Sequence, residues 1–155
     1  MITRRAFVAQ TAGLAIASLG ARRLLGETTA APTAITVYKS ASCGCCTKWV
    51  EHLRANGFAP AVHDEEEMDR IKDEMGVPSD MRSCHTALLD RYVIEGHVPA
   101  GDLRRLLKER PAVSGLAAPG MPASSPGMAT PGQPLEPYEV FAFARGGKTT
   151  AFAKH

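Results

Sequence analysis

Short β-branched runs alternate along the chain with helical stripes of apolar residues. Ala34-Ile35-Thr36-Val37-Tyr38 reads as a buried strand. Ser40-Ala41-Ser42 is a cap-rich turn into a helix that begins near Cys45, places Trp49, Val50 and Leu53 on one face and stops at Gly57. A second strand is predicted over 58–62. Asp64 is positioned to cap a second helix, with Glu65, Glu66 and Glu67 in its first turn and Met68, Ile71 and Met75 as its stripe. Gly76 and Pro78 end it. Residues 86–89 and 92–95 read as two strands around a tight turn at Asp90-Arg91. Pro99 opens a third helix carrying Leu103, Leu106 and Leu107, closed by Lys108, Arg110 and Pro111. The order β-α-β-α-β-β-α is a thioredoxin-like α/β arrangement.

The pattern then changes. Residues 111–137 hold seven Pro and four Gly, which predicts a loop or lid without helix or strand. It contains Pro-Gly-Met twice, at Pro119-Gly120-Met121 and Pro126-Gly127-Met128. Residues 140–144 and 149–153, joined through Gly146-Gly147, read as a C-terminal β-hairpin. The predicted domain is therefore 34–153, with the Pro/Gly/Met-rich loop inside it.

Charge separates the N-terminus from this body. Four of the 18 basic and one of the 16 acidic residues lie in the first 27, so 14 basic and 15 acidic residues remain beyond them. A body this close to neutral offers no electrostatic footprint for nucleic acid. Thr3-Arg4-Arg5-Ala6-Phe7-Val8 is a twin-arginine pattern, and the apolar, small-residue run over 12–21 follows it. Together they predict a twin-arginine-type signal peptide over 1–30 and a periplasmic destination. Thr28-Thr29-Ala30 fits a small-x-small cleavage rule. Membrane contact is expected only through an uncleaved signal.

The chemistry lies in the four cysteines, Cys43-Gly44-Cys45-Cys46 and Cys84. In an exported chain the Cys43/Cys46 pair has three readings: a redox dithiol, a metal site or a structural disulfide. The last normally closes a longer loop than this one. A cysteine at a helix N-terminus has its thiolate stabilised by the helix dipole. Cys45 separates the remaining two readings. A dithiol oxidoreductase needs two thiols, whereas a multinuclear soft-metal site gains from each added thiolate, because sulfur bridges Cu(I) ions. In a thioredoxin-like domain the residue entering the third strand faces the CxxC, where a cis-proline usually sits. Cys84 takes that position, so the arrangement predicts that all four sulfurs converge across 38 residues of sequence. A structural zinc site is a further reading, opposed by the adjacency of Cys45 and Cys46.

Histidines and methionines extend the candidate set. Strand alternation predicts that His85 points away from Cys84, as a ligand or as support for one. His97 precedes the third helix and is expected to orient that turn. The thioethers of Met121 and Met128 suit Cu(I). His52 and His63 read as surface positions and His155 as a tail.

Cys43-Gly44-Cys45-Cys46, Cys84-His85-Thr86, Glu95-Gly96-His97-Val98-Pro99-Ala100 and the Pro-Gly-Met-Pro loop together resemble the CopG-like family of periplasmic copper-resistance proteins. The resemblance spans 34–153. It implies a thioredoxin-like fold and a thiolate-bridged polynuclear Cu(I) site formed by Cys43, Cys45, Cys46 and Cys84. Other periplasmic copper-handling proteins would be its partners. It leaves open whether copper is stored, transferred or interconverted between Cu(I) and Cu(II), and so whether the protein is also an oxidoreductase acting through the CxxC dithiol.

Overall fold

Alternation along the first strand, β1 (Thr33–Lys39), turns Ile35, Val37 and Lys39 inward. It runs parallel to β2 (Phe58–Asp64), and a parallel pair requires a crossover element, here α1 (Gly44–Ala55). The structure, a computed structural model, describes residues 31–155; the predicted signal peptide over 1–30 lies outside the described residues. The remaining elements are α2 (Met68–Glu74), a 3-10 turn at Ser79–Met81, β3 (His85–Leu89), β4 (Tyr92–Gly96), α3 (Ala100–Glu109), β5 (Gly115–Ala118), β6 (Glu139–Phe143) and β7 (Thr149–Lys154). The seven strands form one mixed sheet in the order β2-β1-β3-β4-β5-β6-β7. Among the described residues, no helix is long and apolar enough to cross a membrane.

The stripe on α1 decides where the site sits. Cys46, Trp49, Val50 and Leu53 are its buried residues, spaced as one face of a helix. Trp49 Nε1 donates to the Val98 carbonyl at 2.9 Å, tying α1 to the chain entering α3. Burying this face pulls Cys46 inward with the rest of the stripe.

Two expectations require correction. Asp64 does not cap the second helix. The chain stays extended and in register with β1 as far as Asp64, which pairs opposite Lys39. Its carboxylate accepts from Lys39 Nζ at 3.0 Å. Helix α2 begins only at Met68, with Glu67 at the cap position and no side-chain capping bond, so Glu65 and Glu66 belong to the preceding loop.

The second correction is β5, which falls inside 111–137, where only loop was expected. Gly115, Leu116, Ala117 and Ala118 are all buried, pairing parallel to β4 and antiparallel to β6. Four apolar residues between two prolines are enough for a strand when both neighbours supply a ladder. This insertion joins the C-terminal hairpin to the sheet. Gly115 is required there, because a Cβ would lie 1.8 Å from the Val93 carbonyl oxygen. Gly115→Ala is expected to destabilise the fold by about 3 kcal/mol through overpacking. Calorimetry should show the Tm fall by on the order of 10 °C; an unchanged Tm would refute the close approach.

Candidate metal centre

Cys43 stands at the N-cap of α1, and Cys45 and Cys46 lie in its first turn. Cys46 is buried, while Cys43 and Cys45 are half-buried. Cys43 and Cys46 form a disulfide with their Cα atoms 5.4 Å apart, leaving Cys45 and Cys84 as free thiols. A set of four thiolates therefore exists only after two-electron reduction of this bond. Cys45 Sγ lies 3.5 Å from Cys43 Sγ.

Cys84 joins them. Its Sγ is 3.4 Å from Cys46 Sγ, at the end of β3 that faces the start of α1. The position keeps a trans peptide, since no cis bond occurs among the described residues. A cleft of about 460 Å³ opens from this thiol to solvent between Glu66, Glu67, Met68 and Asp69.

His85 does not point away from Cys84, contrary to strand alternation. Cys84 precedes the strand, so alternation does not yet apply between the two residues. His85 Nδ1 lies 3.4 Å from Cys84 Sγ, and the ring packs 4.3 Å from Trp49 and 4.9 Å from His97. His97 also does more than orient a turn: its Nε2 is 3.1 Å from Cys84 Sγ. The His97 Nδ1 atom faces the Pro126 carbonyl at 2.7 Å. A carbonyl can only accept, so Nδ1 carries the proton and Nε2 keeps its lone pair toward the sulfur.

The loop contributes backbone here. Gly127, at φ +88°, lies so close that a Cβ would meet the Cys45 carbonyl oxygen at 2.7 Å and the Trp49 nitrogen at 2.8 Å. Of the two candidate methionines, Met121 is exposed, whereas Met128 is half-buried and lines a cavity within the loop. The other histidines serve elsewhere. Half-buried His52 accepts from the Ala100 amide at 3.1 Å, and His155 pairs with Asp102 at 2.8 Å.

Burial sets the protonation states of the site. Burial, reinforced by neighbouring Cys45, pushes the Cys84 thiol up to about 12. Burial lowers His85 well below its ordinary range, with His97 and Lys72 adding to the effect. His97 is lowered by burial against the opposing Pro126 bond. Both imidazoles are neutral at pH 7 and available as ligands. His85 Nε2 is buried and has no hydrogen-bond partner. Such an orphaned atom costs about 1–3 kcal/mol; Nδ1 is the ring nitrogen that faces the Cys84 sulfur.

Two overlapping groups have ligand atoms within 4.8 Å of one another: Cys43, Cys45, Cys46 and Cys84, and Cys46, Cys84, His85 and His97. Sulfur and imidazole donors fit Cu(I) or Zn²⁺ and not hard cations. Sequence reasoning assigned no role to Glu95, Lys72, Ser83 and Thr86, whose polar atoms interlock behind Cys84. Glu95 next to Gly96-His97 was the available signal.

Residues 81–128 match the family described as protein of unknown function, DUF411. Comparison with curated proteins gives no match. Two solved structures of copper resistance protein CopG, forms 1 and 2, each share 44% identity with this chain. Each alignment covers 80% of this chain and 98% of the other, with a TM-score of 0.75. The chain belongs to the CopG-like copper-resistance family. The DUF411 segment of this CopG-like chain holds Cys84, His85, His97 and Gly127, while the Cys43–Cys46 cluster lies before it.

The elevated Cys84 thiol has a direct consequence. In metal-free protein, alkylation of Cys84 by iodoacetamide should rise about tenfold per pH unit from pH 8 to 10, because the thiolate fraction does. Peptide mapping by mass spectrometry reads this rate. A plateau near pH 9, as for an ordinary cysteine, would contradict the assignment.

Proposed function

We propose that the protein is a periplasmic copper-binding protein of copper resistance that holds more than one Cu(I) in a thiolate-bridged cluster. The carrying observation is that the two potential ligand groups share Cys46 and Cys84. Sulfurs common to both groups are placed to bridge ions, and a bridging thiolate is a soft-metal arrangement. Once reduced, Cys43, Cys45, Cys46 and Cys84 would form the sulfur framework, with His85 and His97 as nitrogen donors at one side. Met121 and Met128 would act as outer thioethers on the loop. Metal binding displaces the proton that Cys84 otherwise keeps.

We read the β1-α1-β2-α2-β3-β4-α3 portion as thioredoxin-like, supported by its element order and by the cysteine pair at the start of α1. The twin-arginine pattern and the apolar run after it support export to the periplasm. Exchange of copper with other periplasmic copper-handling proteins fits the open cleft at Cys84.

A second reading, as a thiol-disulfide or Cu(I)/Cu(II) oxidoreductase, is favoured by the Cys43–Cys46 disulfide itself. The protonated Cys84 thiol weighs against attack by Cys84 on that disulfide, because only a thiolate attacks a disulfide. Cys45→Ser separates the readings. It keeps the Cys43/Cys46 dithiol, so the copper reading expects lost copper stoichiometry while disulfide reductase activity, if present, survives.

The direct test is anaerobic Cu(I) loading of the reduced mature protein with metal analysis. More than one Cu(I) per chain is expected, falling by at least one ion in Cys84→Ser. Binding limited to a single Zn²⁺, with no multi-copper form, would overturn the proposal.

A further inference from the structure

Glu95 is a fully buried acid directly behind the thiol and the two imidazoles. Its Oε1 accepts from Lys72 Nζ at 2.6 Å and from the Ser83 amide at 2.6 Å, and its Oε2 from the Thr86 hydroxyl at 2.7 Å. Lys72 Nζ, equally enclosed, also donates to Thr86 Oγ1 at 3.0 Å. A buried ion pair is seldom more stabilising than apolar residues of the same volume, so stability alone gives this network little reason to be here.

Its geometry supplies one. Ser83 and Thr86 bracket Cys84 and His85, so a single carboxylate grips the chain on both sides of this pair of donors. Thr86 lies directly opposite Glu95 in the β3–β4 ladder, so register already holds that end. The Ser83 amide precedes the strand and has no ladder partner; Glu95 takes that role. Gly96 permits the approach, since a Cβ there would sit 2.6 Å from the Ser83 Cβ. One residue further, His97 reaches Cys84 Sγ.

We propose that Glu95, charge-balanced by Lys72, is a positioning residue of the metal centre: it clamps Ser83 and Thr86 so that Cys84 stays against Cys46 and His97. The clamp is a property of the metal-free chain, and its purpose rests on the copper reading above. A merely structural ion pair makes a different prediction, because replacing both partners by neutral groups would then restore the wild-type site together with its stability.

The test compares the wild type with Glu95→Leu/Lys72→Met, in which neither charge remains buried and no side-chain oxygen accepts from the Ser83 amide. Three quantities are read on each full-length protein: Tm, the alkylation rate of Cys84 in metal-free protein at one pH, and Cu(I) bound per chain after reduction. The positioning role expects a Tm close to wild type, with Cys84 alkylated about tenfold faster, as release of one charge-assisted hydrogen bond implies. It also expects at least one fewer Cu(I) per chain. Wild-type alkylation together with wild-type copper content would overturn it. If the double variant does not fold, Glu95→Asp decides, because it keeps a carboxylate opposite Lys72 while the shortened side chain no longer reaches the Ser83 amide, the end of the clamp that strand register does not hold. Faster Cys84 alkylation supports the clamp and an unchanged rate overturns it. If the wild type itself took up no more than one Cu(I), the copper reading would fail, while the metal-free alkylation comparison would still decide the clamp.

Discussion

The site depends on one constraint: the apolar face of α1 begins at Cys46. The side chains that anchor this helix to the sheet run through Trp49, Val50 and Leu53, and Cys46 is the first of them. Burial of about 25 cal/mol per Å² of apolar surface along that stripe therefore also holds a sulfur in the interior. Cys43 and Cys45, on either side of the buried position, remain half-buried. The four-cysteine group thus faces inward through one sulfur and outward through its neighbours.

The second half of the site is assembled from the turn before β3 and the end of β4. The β3–β4 ladder ends at Thr86 and Glu95 and the β1–β3 ladder at His85, which leaves Ser83 and Cys84 beyond both, where no strand partner holds the chain. Side-chain and backbone bonds replace the ladder there. Glu95 holds Ser83, and Pro126 sets the His97 tautomer from the loop. In both cases a group that touches no sulfur determines how a donor is presented, which is the usual role of the shell around a metal site.

Elements with a strong local pattern were legible in the sequence. The α1 stripe, the β3–β4 turn at Asp90-Arg91 and the Gly146-Gly147 hairpin each carry their own period or turn residues. What was not legible depended on partners distant in sequence. Four apolar residues at 115–118 become a strand only because β4 and β6 flank them. Asp64 resembled a helix cap until pairing with Lys39 kept it extended. At the site, the expectation of converging sulfurs came from placing Cys84 at the entry to the third strand, and its Sγ lies 3.4 Å from Cys46 Sγ. His85 was misjudged because strand alternation was applied one residue too early. Glu95 stood in a recognised motif but received no role, because a buried acid is indistinguishable in sequence from a solvated one.

In the proposed cluster, sulfurs shared between the two ligand groups bridge copper ions, with imidazole completing one side. X-ray absorption at the copper K-edge of the reduced, Cu(I)-loaded protein tests this most directly. Bridging sulfurs predict a sulfur-dominated inner shell with a minor nitrogen contribution, together with a copper–copper scattering path. An isolated copper with no copper–copper path, or a shell dominated by oxygen and nitrogen, would contradict it.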